Sequence, residues 1–382
     1  MATALHPEVF YYDDNLVSAL LYEVRLTTAY VNRIATIVPP HDVHEAYSRY
    51  VLSLFADDKR TSQVLRRMIE RSGIEHRYSC LEPLSRHNEG EAVDTESLYI
   101  HGRPTATGAR MRAFQRHAPD LAAAAIEKLN LGPDRDRITH LLVTSCTGLS
   151  APGIDIDVIE RCRLPSTIER TTVGFMGCYA AISALKLARH IVRSEPEAQV
   201  LMLNLELCTL HFQETRDVPQ LLCFLQFADG CAASLVSAEP HGIALNGFKA
   251  MLLPDTRGLM SWNIGDTGFD MVLSGQVPAV IHDAMRASSN ELLAGAPGGP
   301  IDLWAVHAGG RSILDAVERA LKLAPGALAA SREVLRRYGN MSSATVMFVL
   351  EELLRSAARG YGCAMSFGPG LVAETMLFSI AG

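Results

Sequence analysis

The chain has 382 residues, 48% of them hydrophobic and 20% charged, with a formal net charge of −7. That length can bury a large core and divides into two or three domain-sized units, and the acidic balance excludes nucleic acid as a main partner. The eight cysteines form no Cys-x-x-Cys pair, which removes paired metal or redox spacing and leaves reduced thiols in the cytoplasm as the reading.

Residues 1–28 read as a polar-aromatic extension with a helix over residues 16–26. Glu8, Asp13 and Asp14, with no basic segment before an apolar run, set it apart from a signal peptide. No uncharged apolar run reaches the length of a membrane span: the strongest candidate, residues 200–212, contains Glu206 and His211, so no integral membrane association is expected. The periodic chain opens with a strand over residues 29–38, stopped by Pro39-Pro40. Helices over residues 44–55 and 61–72 follow, the second carrying Arg66, Arg67 and Arg71. Residues 85–108 are polar and punctuated by Gly and Pro, hence a surface loop, and residues 111–129 form a helix. Residues 138–146 are a continuous apolar run of the buried parallel type, running into a small-residue loop at 147–153 and a helix over 155–161.

Next comes Val173-Gly174-Phe175-Met176-Gly177-Cys178-Tyr179. Two glycines allow a sharp turn, and from Tyr179 to Arg193 no Pro or Gly interrupts a helix. Cys178 therefore falls in a first helical turn, where free N–H groups and the helix dipole favour the nucleophilic thiolate. A small core hydrophobe is the alternative reading of such a residue. Strands over residues 199–207 and 230–237 complete this half.

The second half repeats the first. The strand ending at His307 matches the one ending at Thr144, and a glycine-bearing loop follows each. Thr144 to Cys178 spans one residue more than His307 to Asn340, and a helix then a strand pair follow each endpoint. The divisions are thus 1–28, 29–240 and 241–382. Alternating strands and helices indicate an α/β layered fold, duplicated about a pseudo-dyad, which can bring Cys178 and Asn340 to equivalent helix N-termini where the halves meet. His307 ends a buried strand ahead of Gly309-Gly310. A protonated imidazole would lower the thiol pKa, and imidazole with amide can donate to an enolate or oxyanion. A satisfied core histidine and an ordinary N-cap are the alternatives.

The run around Cys178, the Trp304-Ala305-Val306-His307-Ala308-Gly309-Gly310 segment, the Gly339-Asn340-Met341-Ser342-Ser343 turn and the Phe367-Gly368-Pro369-Gly370-Leu371 loop together resemble the type III polyketide synthases, the chalcone synthase-like enzymes of the thiolase superfamily. The resemblance covers nearly everything from Tyr30 onward. It implies a homodimer of the αβαβα thiolase fold, with Cys178, His307 and Asn340 catalytic and no cofactor beyond CoA thioesters as substrates. An acyl-CoA starter would load Cys178, and His307 with Asn340 would hold malonyl-CoA as CO₂ leaves. Phe227, in Gln226-Phe227-Ala228-Asp229-Gly230, matches a gatekeeper aromatic. Arg67 and Arg71 match positions that meet CoA phosphates, Glu206 a buried acid near the site, and Ser342 a cavity-lining position. Thr147, His211, Phe269, Gly309 and Gly310 belong to the implied substrate-binding set.

Departures from the plant pattern bear on substrate. Met271 stands for a second gatekeeper phenylalanine, Trp262 for a cavity glycine and Ala151 for a methionine reaching the partner's cavity. Cys146 and Cys208 line the same region, as in similar bacterial members that make alkylresorcinols or alkylpyrones. The expectation is a fatty acyl starter, extended and cyclised to a resorcinol or pyrone. The alternatives are a malonyl-CoA-only synthase making a naphthalene or phloroglucinol-type product, and a ketoacyl-ACP synthase III.

Overall fold

A computed structural model describes residues 27–85, 88–295 and 300–381, and the helix expected over residues 16–26 lies outside them. The strands are β1 (Tyr30–Ile37), β2 (His41–Asp42), β3 (Tyr78–Ser79), β4 (His140–Ser145), β5 (Glu169–Gly174), β6 (Val200–Leu207), β7 (Asp229–Ser237), β8 (Ile243–Leu252), β9 (Met260–Gly265), β10 (Gly268–Leu273), β11 (Leu303–Val306), β12 (Gly360–Gly368) and β13 (Val372–Ile380). Nine of them form one sheet in the order β11-β12-β13-β8-β1-β7-β6-β4-β5, while β2 with β3 and β9 with β10 make small ribbons.

Reading outward from the middle, β8, β13, β12 and β11 mirror β1, β7, β6 and β4. The pairing senses match as well: β13 is antiparallel to β8 and β12, which is parallel to β11. Likewise β7 is antiparallel to β1 and β6, which is parallel to β4. Within the sheet, β1 and β8 of the two halves pair at Tyr30 with Ala244 and Val31 with Ile243. The repeat is incomplete, because helix Ala329–Tyr338 precedes Gly339 where β5 precedes the Cys178 turn.

Side-chain alternation sets the layers. In β6 all eight residues are buried. Leu201, Leu203, Leu205 and Leu207 pack in one core cluster with helix Thr107–Leu129, and Val200 and Met202 in another with helices Ala180–Ser194 and Thr345–Arg355. A period of two puts Asn204 and Glu206 on this second face, which is how a carboxylate comes to lie beneath the helix starts. Each leucine on the first face contributes about 2 kcal/mol by burial, and a one-residue slip would invert the strand. The two central helices each contact strands of both halves. Ala181, Ala184 and Ala188 on the first of them give the close approach that a helix between two sheets needs. Helices outside both half-sheets complete five αβαβα layers, the thiolase-like arrangement that the resemblance implies.

Most expected elements are present with bounds shifted by a few residues. The helix expected from residue 111 begins at Thr107. Strand β5 escaped notice because Glu169 to Thr172 are exposed and leave no apolar run to read. No helix among the described residues is long and apolar enough to cross a membrane.

Candidate active site

Cys178 sits in a single 3₁₀ turn, Gly177–Tyr179, which leads into helix Ala180–Ser194. Gly177 has φ +73°, and a Cβ there would stand 2.5 Å from Pro369 Cδ. The glycine is therefore required twice over, by conformation and by the closing loop packed on it. The sulfur lies 3.8 Å from Ser342 Oγ and is within the hydrogen-bonding influence of the Asn340 amide. Burial pushes the thiol up to about 12, against the Ser342 and Asn340 hydrogen bonds. This corrects the thiolate expected from the helix terminus alone, since desolvation outweighs the dipole where no cation adjoins the sulfur.

His307 follows β11 directly, and its N–H donates to Met365 O at 2.7 Å. The ring is fully buried, and burial pulls it down to about 3, so it is neutral rather than the expected imidazolium. Both ring nitrogens lack a protein hydrogen-bond partner among the described residues. A carbon at the Cβ position of Gly309 would lie 3.2 Å from His307 Nε2 and 3.9 Å from Asn340 Nδ2. Imidazole and amide thus approach one point, which only a glycine leaves open. Asn340 Oδ1 accepts from Ser342 N at 2.9 Å while Nδ2 donates to Gly309 O at 3.2 Å, but the residue that precedes the 3₁₀ turn Ser342–Ala344 as its cap is Met341, so the ordinary N-cap reading does not hold.

Cys178, Cys146, Cys208, Thr147 and Ser342 line one cavity with Phe227, Trp262 and Met271. Met260, Pro369 and Gly177 complete it; none of the three was named as a cavity residue from the sequence, although alternation from Trp262 points to Met260. Open space is about 30 Å³, room for one or two waters. Trp262 and Met271 face each other across the β9–β10 ribbon, and Trp262 Nε1 donates to Cys146 O at 2.8 Å. His211 and Phe269 do not line the cavity. They stand behind Trp262 as a stacked pair 3.9 Å apart, and the Trp262 ring meets each edge-on at 5.3 and 5.6 Å.

Glu206 lies behind the cavity rather than in it. It accepts from Cys146 N and Thr147 Oγ1 at 2.9 Å and from Ser343 Oγ at 2.5 Å, and so ties the β4 loop to the Asn340 turn. Burial raises it to about 7 in spite of these bonds.

A wider cleft of about 640 Å³ is lined by His44, Arg71, Gln226, the residue before Phe227, and Arg311 among others. Arg71 is among the residues lining it, whereas Arg67, exposed one turn earlier on the same helix, is not. Arg311, four residues past His307, went unnamed in the sequence. Among the described residues no cluster of His, Cys, Asp or Glu could hold a metal ion.

Residues 25–240 and 245–381 match the profiles of the N-terminal and C-terminal domains of chalcone and stilbene synthases. The chain is 31% identical over 370 residues to the alpha-pyrone synthesis polyketide synthase-like Pks18 of Mycobacterium tuberculosis, covering 93% of this chain and 92% of that one. To the bisdemethoxycurcumin synthase of Oryza sativa subsp. japonica it is 33% identical over 379 residues, covering 91% and 92%. Its fold is similar to the crystal structure of PKS-I from the brown alga Ectocarpus siliculosus, with a TM-score of 0.82, 27% identity and coverage of 93% and 98%.

Proposed function

The chain belongs to the chalcone and stilbene synthase family, the type III polyketide synthases, and from that premise we propose that Cys178, His307 and Asn340 carry its decarboxylative acyl transfer. The observation that carries the reading is a buried thiol in reach of the Asn340 amide, with that amide and a neutral imidazole, whose two nitrogens have no protein partner among the described residues, converging at Gly309. An orphaned buried imidazole needs a partner that arrives with substrate.

His307 takes the Cys178 proton as the sulfur attacks the carbonyl of an acyl-CoA. The thioester bond to CoA breaks, CoA leaves as the thiol with that proton, and His307 is neutral again. Malonyl-CoA then places its thioester carbonyl against His307 Nε2–H and Asn340 Nδ2–H. As CO₂ departs, the electron pair becomes an enolate whose oxygen these donors stabilise. The enolate carbon attacks the acyl-cysteine, forming the new C–C bond and releasing the sulfur. The cavity lining offers no charged side chain, so a carboxylate there has nothing to hold it and CO₂ leaves without a competing salt bridge. Arg71, with Arg311, suits the CoA phosphates at the outer cleft, and Phe227 stands between cleft and cavity.

The starter is a fatty acyl-CoA and the product a resorcinol or pyrone, read from the likeness to the Mycobacterium protein and the flexible Met271. The alkyl chain would pass where Trp262 and Met271 now stand. One observation favours a second reading, a malonyl-CoA-only synthase: about 30 Å³ of open space suits small units. The two units of a homodimer would meet along the exposed side of β5 and the loop bearing Leu149 and Ala151.

The test is incubation with malonyl-CoA and a ladder of acyl-CoA starters, with products read by mass spectrometry. Release of CO₂ and a starter-dependent product that Cys178→Ala abolishes is the expected result. No CO₂ from the intact protein, or product from the alanine variant, overturns the reading.

A further inference from the structure

We propose that Arg77 is a positioning residue for the condensation site, holding the Phe227 gate and the Asn340 amide in one fixed relation. The proposal rests on the roles given above to Phe227 and Asn340. Arg77 is fully buried, and burial pulls its guanidinium down to about 10, leaving it charged at neutral pH. Among the described residues no carboxylate pairs with it; Asp42 and Asp229 act only at a distance. A buried cation carries a desolvation penalty of several kcal/mol, so its acceptors are informative.

Those acceptors all belong to the path from cleft to cavity. Nη1 donates to Phe224 O at 3.2 Å and to Phe227 O at 2.9 Å, and Nε donates to His44 Nδ1 at 3.2 Å. His44 lines the outer cleft. Phe224 ends the short helix Val218–Phe224, so its carbonyl is one that the helix leaves unpaired. One nitrogen of the planar guanidinium, Nη1, thus pins both ends of the turn that presents the gate, with Nε held by His44 and Nη2 left without a partner among the described residues.

The same turn is stitched to Asn340. Asn340 N donates to Gln226 O, and Ala228 N donates to Asn340 O, each at 2.8 Å, so Phe227 pairs with Asn340 as an isolated parallel bridge. Gly339, with φ +70°, lets this happen. A Cβ there would stand 2.9 Å from Arg77 Cγ and 3.0 Å from Gln226 O. The arginine stem, the gate turn and the residue before Asn340 therefore share one close-packed contact. Displacing the guanidinium moves gate and amide together, while Cys178, at the start of helix Ala180–Ser194, keeps its own supports in Gly177 and Pro369.

Separate half-reactions test this. Arg77→Lys keeps the charge and loses the fork. The expected outcome is a near-native Tm, acylation of Cys178 by acyl-CoA at close to the wild-type rate, and malonyl-CoA decarboxylation slowed about tenfold to a hundredfold, the range set by a misplacement of about 1 Å. In Arg77→Ala, added guanidinium restores part of the decarboxylation. Unchanged decarboxylation in Arg77→Lys, or both half-reactions falling in parallel, overturns the proposal. If Arg77→Lys does not fold, Gly339→Ala must show the same split, and a failure of both to fold assigns Arg77 a structural role only. Wild-type protein assayed alongside separates the claims, since its failure to decarboxylate sinks the functional reading instead.

Discussion

The indole N–H of Trp262 donates to the backbone carbonyl of Cys146 at 2.8 Å, which locks the β9–β10 ribbon over the thiol cavity. Cavity size is therefore a property of one side chain and one hydrogen bond. Trp262→Gly removes both and should shift the product profile toward longer starters or more extensions, read by mass spectrometry over the acyl-CoA ladder. Trp262→Phe keeps most of the bulk and should leave the profile near wild type. The stability loss in the glycine variant should reach about 3 kcal/mol, the low end for deleting a large aromatic, and would show as a lower Tm.

Glu206 gives a pH signature. Its folded value of about 7 lies above the ordinary 4.5 of a glutamate, so between those limits the folded chain holds a proton that the unfolded chain has lost. Its contribution is fully present below pH 4.5 and disappears as pH rises through 7. Glu206→Gln keeps an acceptor and removes the titration. Relative to wild type, the variant should gain stability from pH 5 to pH 8 by about 3 kcal/mol, measured by urea unfolding at both values. His307 and His211, both pulled down to about 3 by burial, act in the opposite sense in both proteins and cancel in the comparison. A flat difference between the two proteins would refute the account.

The thiol at about 12 predicts sluggish chemistry in the free protein. Iodoacetamide should label Cys178 slowly at pH 7, with a rate that climbs through pH 9 without levelling off, as tracked by peptide mass spectrometry. Fast labelling already at pH 7 would mean that a cation stabilises the sulfur after all.

Gly177→Ala places a methyl 2.5 Å from Pro369 Cδ at φ +73°. Backbone strain of about 1–3 kcal/mol should lower Tm, and acylation of Cys178 should fall further than the stability loss explains, because the clash sits one residue from the sulfur. Normal acylation in a folded variant would show that the Pro369 contact has no part in placing the thiol.

The duplicated order of strands, the glycine-led turn before Cys178 and the positions of His307 and Asn340 were legible in the chain because each is a local matter. Alternation in β6, φ > 0 at Gly177 and a strand end at Val306 depend on neighbours a few residues away. Arg77 was illegible, because nothing in Glu75-His76-Arg77-Tyr78 announces acceptors that lie some 150 residues further on. The same holds for the hydrogen bond from Trp262 to Cys146 O and for Arg71, not Arg67, lining the outer cleft.

Charge state was decided by tertiary structure alone. The sequence by itself determined where each group stands in the chain: a sulfur at one helix start, an amide at its counterpart, and an imidazole at the end of a buried strand. It could not determine how dry their meeting place is. Desolvation depends on every residue that excludes water, from Pro369 to Trp262, and it leaves the thiol protonated and the imidazole neutral where local rules foretold an ion pair.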